Sequence, residues 1–153
     1  MKLNCFCKGD KLLKVFLEGN HDNFNKQPQN KCDKLKVKLD NFLNGEKVNF
    51  EENIDWNLLN LTEFQKKVLF ETYRIPYGEI RTYKEIAEEF NSKAYRAVGN
   101  ALNRNPIAIA IPCHRVIGSN NSLTGFGLGL ELKKQLLINE GHKIVKDKLI
   151  LTM

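Results

Sequence analysis

A cysteine, a histidine and an arginine follow one another directly after an uncharged apolar run. The run covers residues 106–112 and ends at Pro112, and Cys113, His114 and Arg115 come next. A buried run that ends in this way places a thiol at the edge of a core, beside groups that favour the thiolate, which is the nucleophilic form of cysteine. A core strand whose Cys only fills space is the alternative, since free Cys packs as a small apolar residue.

Size and composition indicate an ordinary folded chain. Its 153 residues are 42% hydrophobic and 27% charged, enough for one core or for a small domain joined to a larger one. No apolar run approaches the roughly 20 residues of a membrane span, and no signal-peptide core opens the chain, so we expect a cytoplasmic protein, or a nuclear one in a eukaryote. The net charge of +6 suits a polyanionic partner but does not identify one.

The first third of the chain is predicted to be a small α+β unit. Residues 11–17 read as a strand, and apolar residues recur at helical spacing from Leu35 to Leu43, before Gly45. Residues 48–56 are predicted to be a short extended segment. We place a domain boundary here, with an amino-terminal domain over residues 1–57 and a carboxy-terminal domain over 58–153.

Four side chains of the first third could in principle bind zinc: Cys5, Cys7, His21 and Cys32. A Cys-x-Cys pair with single distant partners is not a standard ligand pattern, so the sequence favours unligated residues and no metal. In a reducing compartment, the four cysteines are expected to be thiols and not disulfides. No organic cofactor is predicted.

Helix signals dominate the rest of the chain. Thr62 and Thr82 each open a capping box, with Gln65 and Glu85 three residues later, and each box predicts a helix that begins there. A third helix is predicted over residues 93–103, with five apolar side chains inward. A last helix is predicted over 130–139, with Leu132, Leu136 and Leu137 inward, and the final residues read as a strand or a tail. The five inward residues of the third helix are Ala94, Ala97, Val98, Ala101 and Leu102.

The second and third of these helices are joined by a short turn at Asn91-Ser92, which is the pattern of a helix-turn-helix. From Lys93 to Arg115 there are four Lys or Arg residues and no Asp or Glu. Small residues such as Gly99 would let the second helix approach a nucleic-acid backbone. A plain helical hairpin is the alternative, and the local charge favours DNA binding.

Between Thr62 and His142, several short segments occur in the order that they have in a known protein family. The chain resembles the O6-alkylguanine-DNA alkyltransferases in the segments Ile75-Pro-Tyr-Gly-Glu79, Arg96-Ala-Val-Gly-Asn100, Pro112-Cys-His-Arg-Val116, Leu123-Thr-Gly125 and Glu140-Gly141. The resemblance implies an α/β (α+β) fold. Its parts would be a small amino-terminal α+β domain with an RNase H-like sheet and a mostly helical carboxy-terminal domain with a helix-turn-helix.

The resemblance also implies a reaction. Cys113 would take the alkyl group from guanine O6 in double-stranded DNA, once per molecule, in a protein expected to be a monomer. Activation would run from Cys113 through His114 and a water to Glu140, because a carboxylate orients an imidazole and stabilises its charged form. From the residues alone Glu131 is an equal candidate for the acid, and the family pattern selects Glu140. Asn105 would brace the cysteine loop.

The target base must leave the duplex to react, so the resemblance implies base flipping. Arg96 would fill the vacated stack, and Tyr83 would donate its hydroxyl to N3 of the flipped base. The carbonyls of Cys113 and Val116 would accept from the guanine amino group, and the Gly127 N–H would face O6. Phe126 and Leu128 would complete the base pocket. Further DNA contacts are expected from Thr82, Ala97, Gly99, Arg104 and Arg115.

Three positions depart from the family pattern. Tyr95 replaces a small residue, Phe126 replaces a tyrosine, and Leu128 replaces a glycine, so Leu128 should narrow the pocket against bulky groups such as benzyl. Other readings stay open: a lesion-binding relative without transfer, which the presence of Cys113 argues against, and a helix-turn-helix regulator with a structural or redox cysteine. A thiol hydrolase is disfavoured because the side chains of adjacent residues diverge. The preference between O6-methylguanine and O4-methylthymine is not encoded in a recognisable motif.

Overall fold

A computed structural model describes residues 2–18, 32–90 and 93–150. The strands and helices in chain order are β1 (Leu3–Lys8), β2 (Lys11–Leu17), α1 (Asp33–Leu43), α2 (Glu63–Tyr73), β3 (Arg81–Thr82), α3 (Tyr83–Glu88), α4 (Tyr95–Asn103), β4 (Val116–Ile117), α5 (Leu130–Asn139), β5 (Lys143–Val145) and β6 (Lys148–Ile150). The mixed α/β fold class is therefore confirmed. No helix in the described ranges is long and apolar enough to cross a membrane.

The amino-terminal unit is a β-hairpin covered by α1. β1 pairs antiparallel with β2, and its alternate residues Leu3, Cys5 and Cys7 are buried, as expected for a strand with one face on a core. α1 packs on β1 and buries Leu35, Leu39 and Phe42, a spacing of four and three residues that places them on one helix face. The predicted strand and helix are both confirmed.

The expectation that the cysteines are all thiols is wrong. Cys7 of β1 and Cys32, just before α1, form a disulfide, and Cys5 and Cys113 are the free cysteines of the described chain. Nothing in the spacing signals the bond, because it depends on α1 folding back onto β1. Two of the candidate zinc ligands are thus bonded to each other, and His21 lies outside the described residues.

Residues 48–56 are not extended as predicted. They contain a 3₁₀ turn, Glu51–Asn53, and Trp56 begins a second one, Trp56–Leu59. The side chains of Asn49 and Asp55 explain this, since each accepts a hydrogen bond from a backbone N–H two residues later, at 2.7 Å and 3.0 Å. Such local bonds compete with extended structure.

Capping residues define the helices of the larger unit. Thr82 and Glu85 form the complete predicted box. At α2 the Thr62 hydroxyl accepts from the Gln65 N–H, but the Gln65 side chain donates instead to the carbonyl of Arg104, so only half of that box forms. The last helix has the predicted bounds, and the segment after it forms a β5–β6 hairpin. The predicted turn at Asn91-Ser92 lies outside the described residues.

Helix α4 is shorter than predicted and buries a partly different set of side chains. It begins at Tyr95 and buries Val98, Ala101 and Leu102. Ala94 and Ala97 are exposed, so the prediction that they lie inward is wrong. The buried three follow the 3.6-residue period, and Ala97 lies about 100° around the helix from Val98. α4 packs on α2 and α3.

The apolar run that precedes Cys113 is buried, but it is not a strand. Residues 107–111 form successive turns, and Ile109 adopts a left-handed conformation with φ of 80°. The carbonyl of Pro106 accepts from the Val15 N–H of β2 at 2.8 Å, which ties this segment to the hairpin. One continuous cluster of buried side chains joins the two halves of the chain, from Leu3 to Leu136.

Candidate active site

The turn that carries the candidate nucleophile is held by one asparagine. The Asn105 amide donates to the Ile111 carbonyl at 2.9 Å and to the Cys113 sulfur at 3.3 Å, and its oxygen accepts from the Ile107 N–H at 3.0 Å. These bonds replace the ladder that a strand would supply. Asn105 therefore fixes both the buried turns and the position of the sulfur.

Two short strands bring a second segment beside this turn. β3 pairs in parallel with β4, so Arg81 lies opposite Val116 and Thr82 opposite Ile117. Tyr83 starts α3 immediately after β3, and Cys113 precedes β4 by a single 3₁₀ turn. The pairing thus positions Tyr83 near the cysteine turn.

Glu140 is the centre of a buried ionic cluster. One of its oxygens accepts from His114 Nε2 at 2.6 Å, and the other accepts from Arg115 Nε and from the Gly78 N–H, each at 2.8 Å. Gly78 has a φ of 84°, which favours glycine, and this conformation directs its N–H at the carboxylate. Among the two acids that the residues alone could not separate, Glu140 is buried against His114, while Glu131 is exposed and pairs with Lys134.

Burial and the charges in this cluster determine the protonation state and the tautomer of His114. Burial alone would raise the pKa of Glu140, but hydrogen bonds and charges from His114 and Arg115 outweigh it and lower the pKa to about 2. Burial lowers the pKa of His114 below 6.5, against the effect of Glu140. Glu140 is thus an anion that only accepts, so the neutral imidazole carries its proton on Nε2. His114 Nδ1 is then a buried acceptor, and no described protein group hydrogen-bonds to it.

Cys113 rests as a thiol. Burial raises its pKa to about 11, and the hydrogen bond from Asn105 and the charge of Lys133 act in the opposite direction. The Cys113 residue is only 5% exposed. The neighbouring cations therefore do not make a resting thiolate, and the sulfur could act as a nucleophile only if a base took its proton.

Lys133 is a candidate site residue that the sequence analysis missed. It is 0% exposed, and its ammonium donates to the carbonyls of Val116 at 2.7 Å, Thr124 at 2.9 Å and Gly125 at 3.3 Å. Burial lowers its pKa to about 8. The signal was available: Lys133 precedes Leu136 by three residues and Leu137 by four, which places it on the inward face of α5.

The residues expected at the base pocket lie around these groups. The Tyr83 hydroxyl donates to the Thr124 carbonyl at 3.0 Å, and burial raises the pKa of Tyr83. The Phe126 ring lies 6.4 Å from the His114 ring, and Leu128 is half-buried against the core. Val116 is buried. A Cβ at Gly127 would lie 3.1 Å from the Asn103 carbonyl, so the loop passes close to the end of α4.

An open groove of about 700 Å³ runs along α4. Both α4 and the loops after β4 line it, and Cys113 does not. Arg96 is exposed and lines the groove, Ala97 and Arg104 are exposed but are not among its lining residues, and Thr82 is half-buried. The side chains that line the groove include Tyr83, Lys84, Tyr95, Arg96, Asn100 and Asn103.

One expected DNA contact does not fit the structure. Arg115 is 7% exposed, and its guanidinium donates inward to Glu140 and to the Ile75 carbonyl at 2.8 Å each. It also lies over the Tyr77 ring, 5.5 Å from the centroid. A basic residue counted from the sequence as surface charge is in fact the counter-ion of the buried carboxylate. As for metals, no three His, Cys, Asp or Glu side chains of the described ranges are grouped to hold one.

Comparison with known proteins identifies relatives. Residues 63–142 match the family model described as 6-O-methylguanine DNA methyltransferase, DNA binding domain. A methylated-DNA–protein-cysteine methyltransferase from Methanosarcina acetivorans is 62% identical over 81 residues, 52% of this chain and 52% of the relative. The chain thus spans about half the length of the first curated relatives that it matches.

Solved structures extend the similarity beyond the matched half. Mycobacterium tuberculosis OGT in complex with DNA has a TM-score of 0.77 at 36% identity, over 90% of this chain and 85% of that one. S. pombe Atl1 in complex with damaged DNA containing O6-carboxymethylguanine has a TM-score of 0.52 at 29% identity, over 61% and 92% of the two chains. Because the family model covers more than half of the chain and spans both the helix pair and the buried Cys-His-Glu site, this protein belongs to the 6-O-methylguanine DNA methyltransferase family.

Proposed function

We propose that this protein repairs DNA by moving the methyl group of O6-methylguanine to its own Cys113. The observation that supports the proposal is the buried pair of Glu140 and His114, the residue after that thiol, in which the carboxylate accepts from a neutral imidazole whose other nitrogen has no described protein partner. The relatives named as methylated-DNA–protein-cysteine methyltransferases support the choice of substrate.

The reaction balances without a cofactor. The thiol proton passes to His114 Nδ1, through a water in the scheme that the family resemblance implies, and Glu140 stabilises the imidazolium. The sulfur then attacks the methyl carbon, and the S–C bond forms as the C–O6 bond breaks. The bonding electron pair remains on guanine, which takes up a proton, with Tyr83 as the proposed donor at N3. Water then returns a proton to Tyr83 and accepts the proton held by His114, so that one proton has moved in net terms from the thiol to guanine. The product thioether is stable, so each molecule reacts once.

The proposed DNA surface is the groove along α4. Arg96 is exposed there and would fill the stack after the base is flipped, with Ala97 and Gly99 allowing close approach to the backbone. Thr82 and Arg104 are proposed to contact phosphates. We propose that the protein acts as a monomer in the cytoplasm, or in the nucleus of a eukaryotic cell. The boundary between residues 57 and 58 stays a prediction, and it falls within the turn Trp56–Leu59.

The test is the intact mass of the protein after incubation with a duplex that contains one O6-methylguanine. The wild type and Cys5→Ser should each gain one methylene, because Cys5 is the other free thiol of the described chain, and Cys113→Ser should gain nothing. Binding to the lesion without a mass gain in the wild type would identify a lesion-binding protein. Binding to one undamaged sequence without a mass gain would identify a regulator, and either result would reject the repair function.

A further inference from the structure

The carbonyl of Thr124 accepts hydrogen bonds from two side chains. The Tyr83 hydroxyl donates to it at 3.0 Å and the Lys133 ammonium at 2.9 Å. We define residues 123–129, between β4 and α5, as the pocket loop, because it contains Phe126, Gly127 and Leu128. Tyr83 from α3 and Lys133 from α5 thus hold the same point of this loop.

Lys133 also links the pocket loop to the strand after the nucleophile. Its other bonds go to Gly125 in the loop and to Val116, the first residue of β4. No carboxylate in the described part of the chain forms an ion pair with Lys133. A buried ammonium is costly, and its three donors are here matched by three carbonyls. An apolar residue would fill the same place on α5 at lower cost, so packing alone does not account for a lysine.

The two donors differ in what the reaction requires of them. Under the proposed function Tyr83 must bond to the flipped base, and its hydroxyl has a single hydrogen to donate. It must therefore release the Thr124 carbonyl as the base enters. The bond between Tyr83 and Thr124 lies on the exposed side of the pocket loop, so water can replace the hydroxyl, but the loop then loses one of the side chains that hold it in place. The Lys133 bond, which is partly buried, remains and keeps the Thr124 carbonyl tied to α5.

We propose that Lys133 is a positioning residue that keeps the pocket loop in place while the Tyr83 hydroxyl exchanges the Thr124 carbonyl for the flipped base. This proposal rests on the proposed function and assigns it a residue outside the Cys-His-Glu relay. The location fits the role: Tyr83, Thr124 and Gly125 all line the groove along α4, so the shared carbonyl lies where DNA would arrive. A Cβ at Gly125 would lie 3.2 Å from the Asn103 side chain, so the same loop also contacts the end of α4.

The first experiment separates transfer from DNA binding. Lys133→Met keeps an unbranched side chain, one atom shorter, and removes its donors. The matched control is Lys134→Met on the same helix, because Lys134 is partly exposed and pairs with Glu131 and Asp147 and not with the pocket loop. We expect Lys133→Met to lower the first-order rate of methyl transfer at saturating duplex by about 30-fold or more, as for loss of a charged hydrogen-bond donor. The duplex Kd, measured in a Cys113→Ser background, should change less than about threefold, and Lys134→Met should match the wild type in both.

The second experiment tests the shared carbonyl directly in the free protein and needs no activity. Tyr83→Phe alone should lower the melting temperature by less than about 2 °C, because Lys133 still satisfies Thr124, whereas in the Lys133→Met background it should lower it by about 4 °C or more. If Lys133→Met does not fold, Lys133→Arg, which keeps a charged donor, serves as the second background and should show the smaller shift.

Two results would overturn the proposal. One is a transfer rate for Lys133→Met within threefold of the wild type. The other is an equal effect of Tyr83→Phe in both backgrounds, which would show that the two donors act independently. If wild-type protein gains no methyl group, the proposed function fails, and the melting experiment still decides whether Tyr83 and Lys133 share the carbonyl.

Discussion

Replacing Glu140 with Gln tests whether the proposed proton relay requires a carboxylate at this position. Three N–H groups converge on the two carboxylate oxygens, from His114, Arg115 and Gly78. A glutamine has one acceptor oxygen and one NH₂ donor. Its oxygen must face Arg115 and Gly78, which can only donate, so its NH₂ must face His114. The imidazole can satisfy this NH₂ only by moving its own proton from Nε2 to Nδ1.

That tautomer removes the proposed base. With Nδ1 protonated, His114 has no acceptor left for the thiol proton, and Cys113 starts from a pKa of about 11. In serine proteases the equivalent Asp-to-Asn exchange lowers the rate by about 10⁴-fold for this reason. We expect Glu140→Gln to lower the single-turnover rate of methyl transfer by about 10³- to 10⁴-fold at pH 7.5, with DNA affinity unchanged.

Glu140→Gln should also change how the free energy of unfolding depends on pH, in a direction that follows from the pKa of Glu140. The pKa of Glu140 is lowered from 4.5 to about 2, which corresponds to about 3 kcal/mol of stabilisation. A lowered carboxyl pKa stabilises the fold fully above pH 4.5, and the contribution is lost as the pH falls through about 2. The wild type should therefore be more stable than Glu140→Gln at pH 7 by at most about 3 kcal/mol, because part of the pKa shift comes from a charged His114, which is neutral at that pH, and the difference should shrink steadily below pH 4.5.

The assays are quenched-flow transfer from a methylated duplex and urea unfolding monitored across pH. Glu131→Gln is the matched control, since Glu131 is an exposed carboxylate on the same helix and the rival acid from sequence. It should leave both the rate and the acid stability unchanged. Transfer by Glu140→Gln within tenfold of the wild type would refute the tautomer argument, and so would a stability difference that does not depend on pH.

Three further predictions follow from the contacts around the site and the disulfide. Asn105→Ala removes the hydrogen bond to the Cys113 sulfur, so single-turnover transfer should slow by about 10- to 100-fold, and an unchanged rate would show that the bond is not used. Leu128→Gly should raise inactivation by free benzylguanine relative to methyl repair, and efficient benzyl transfer by the wild type would remove the steric argument. Cys7→Ser opens a closure of 25 residues, so urea unfolding should show a loss of about 3 kcal/mol, and an unchanged midpoint would mean that the disulfide does not constrain the unfolded chain.

Local signals explain which elements could be predicted from the sequence. The bounds of α5 follow from its leucine spacing and from Gly141, and the box at Thr82 starts α3, because both depend on residues within one or two turns. The Cys7–Cys32 bond and the bond from Gln65 to Arg104 depend on contacts between distant segments, which periodicity does not encode. The buried turns of residues 107–111 could not be predicted for the same reason.

The residues of the candidate site also differ in whether the sequence could predict them. Cys113, His114 and Glu140 were predicted as a set from the family motif, and the structure places the last two in contact, at 2.6 Å. Their roles in the reaction stay a prediction. The charge count over residues 93–115 placed Arg115 with the DNA-facing cations, and Lys133 was not considered. Both are buried where carbonyls or a carboxylate accept from them. Sequence gives the sign of a side chain's charge, whereas its role depends on whether acceptors surround it.

The burial of the nucleophile has a chemical consequence that connects these features. At a pKa of about 11, on the order of 10⁻⁴ of Cys113 molecules are thiolate at pH 7, and the sulfur is nearly inaccessible. Under the proposed function the protein reacts only once, so a resting thiolate on the surface could be lost to any other electrophile. The sulfur is instead protonated and buried, and so are His114 and Glu140 of the proposed relay. Transfer would then depend on a ligand that reaches the pocket beside Tyr83 and aligns an alkyl carbon with the sulfur, which would couple nucleophile activation to base entry.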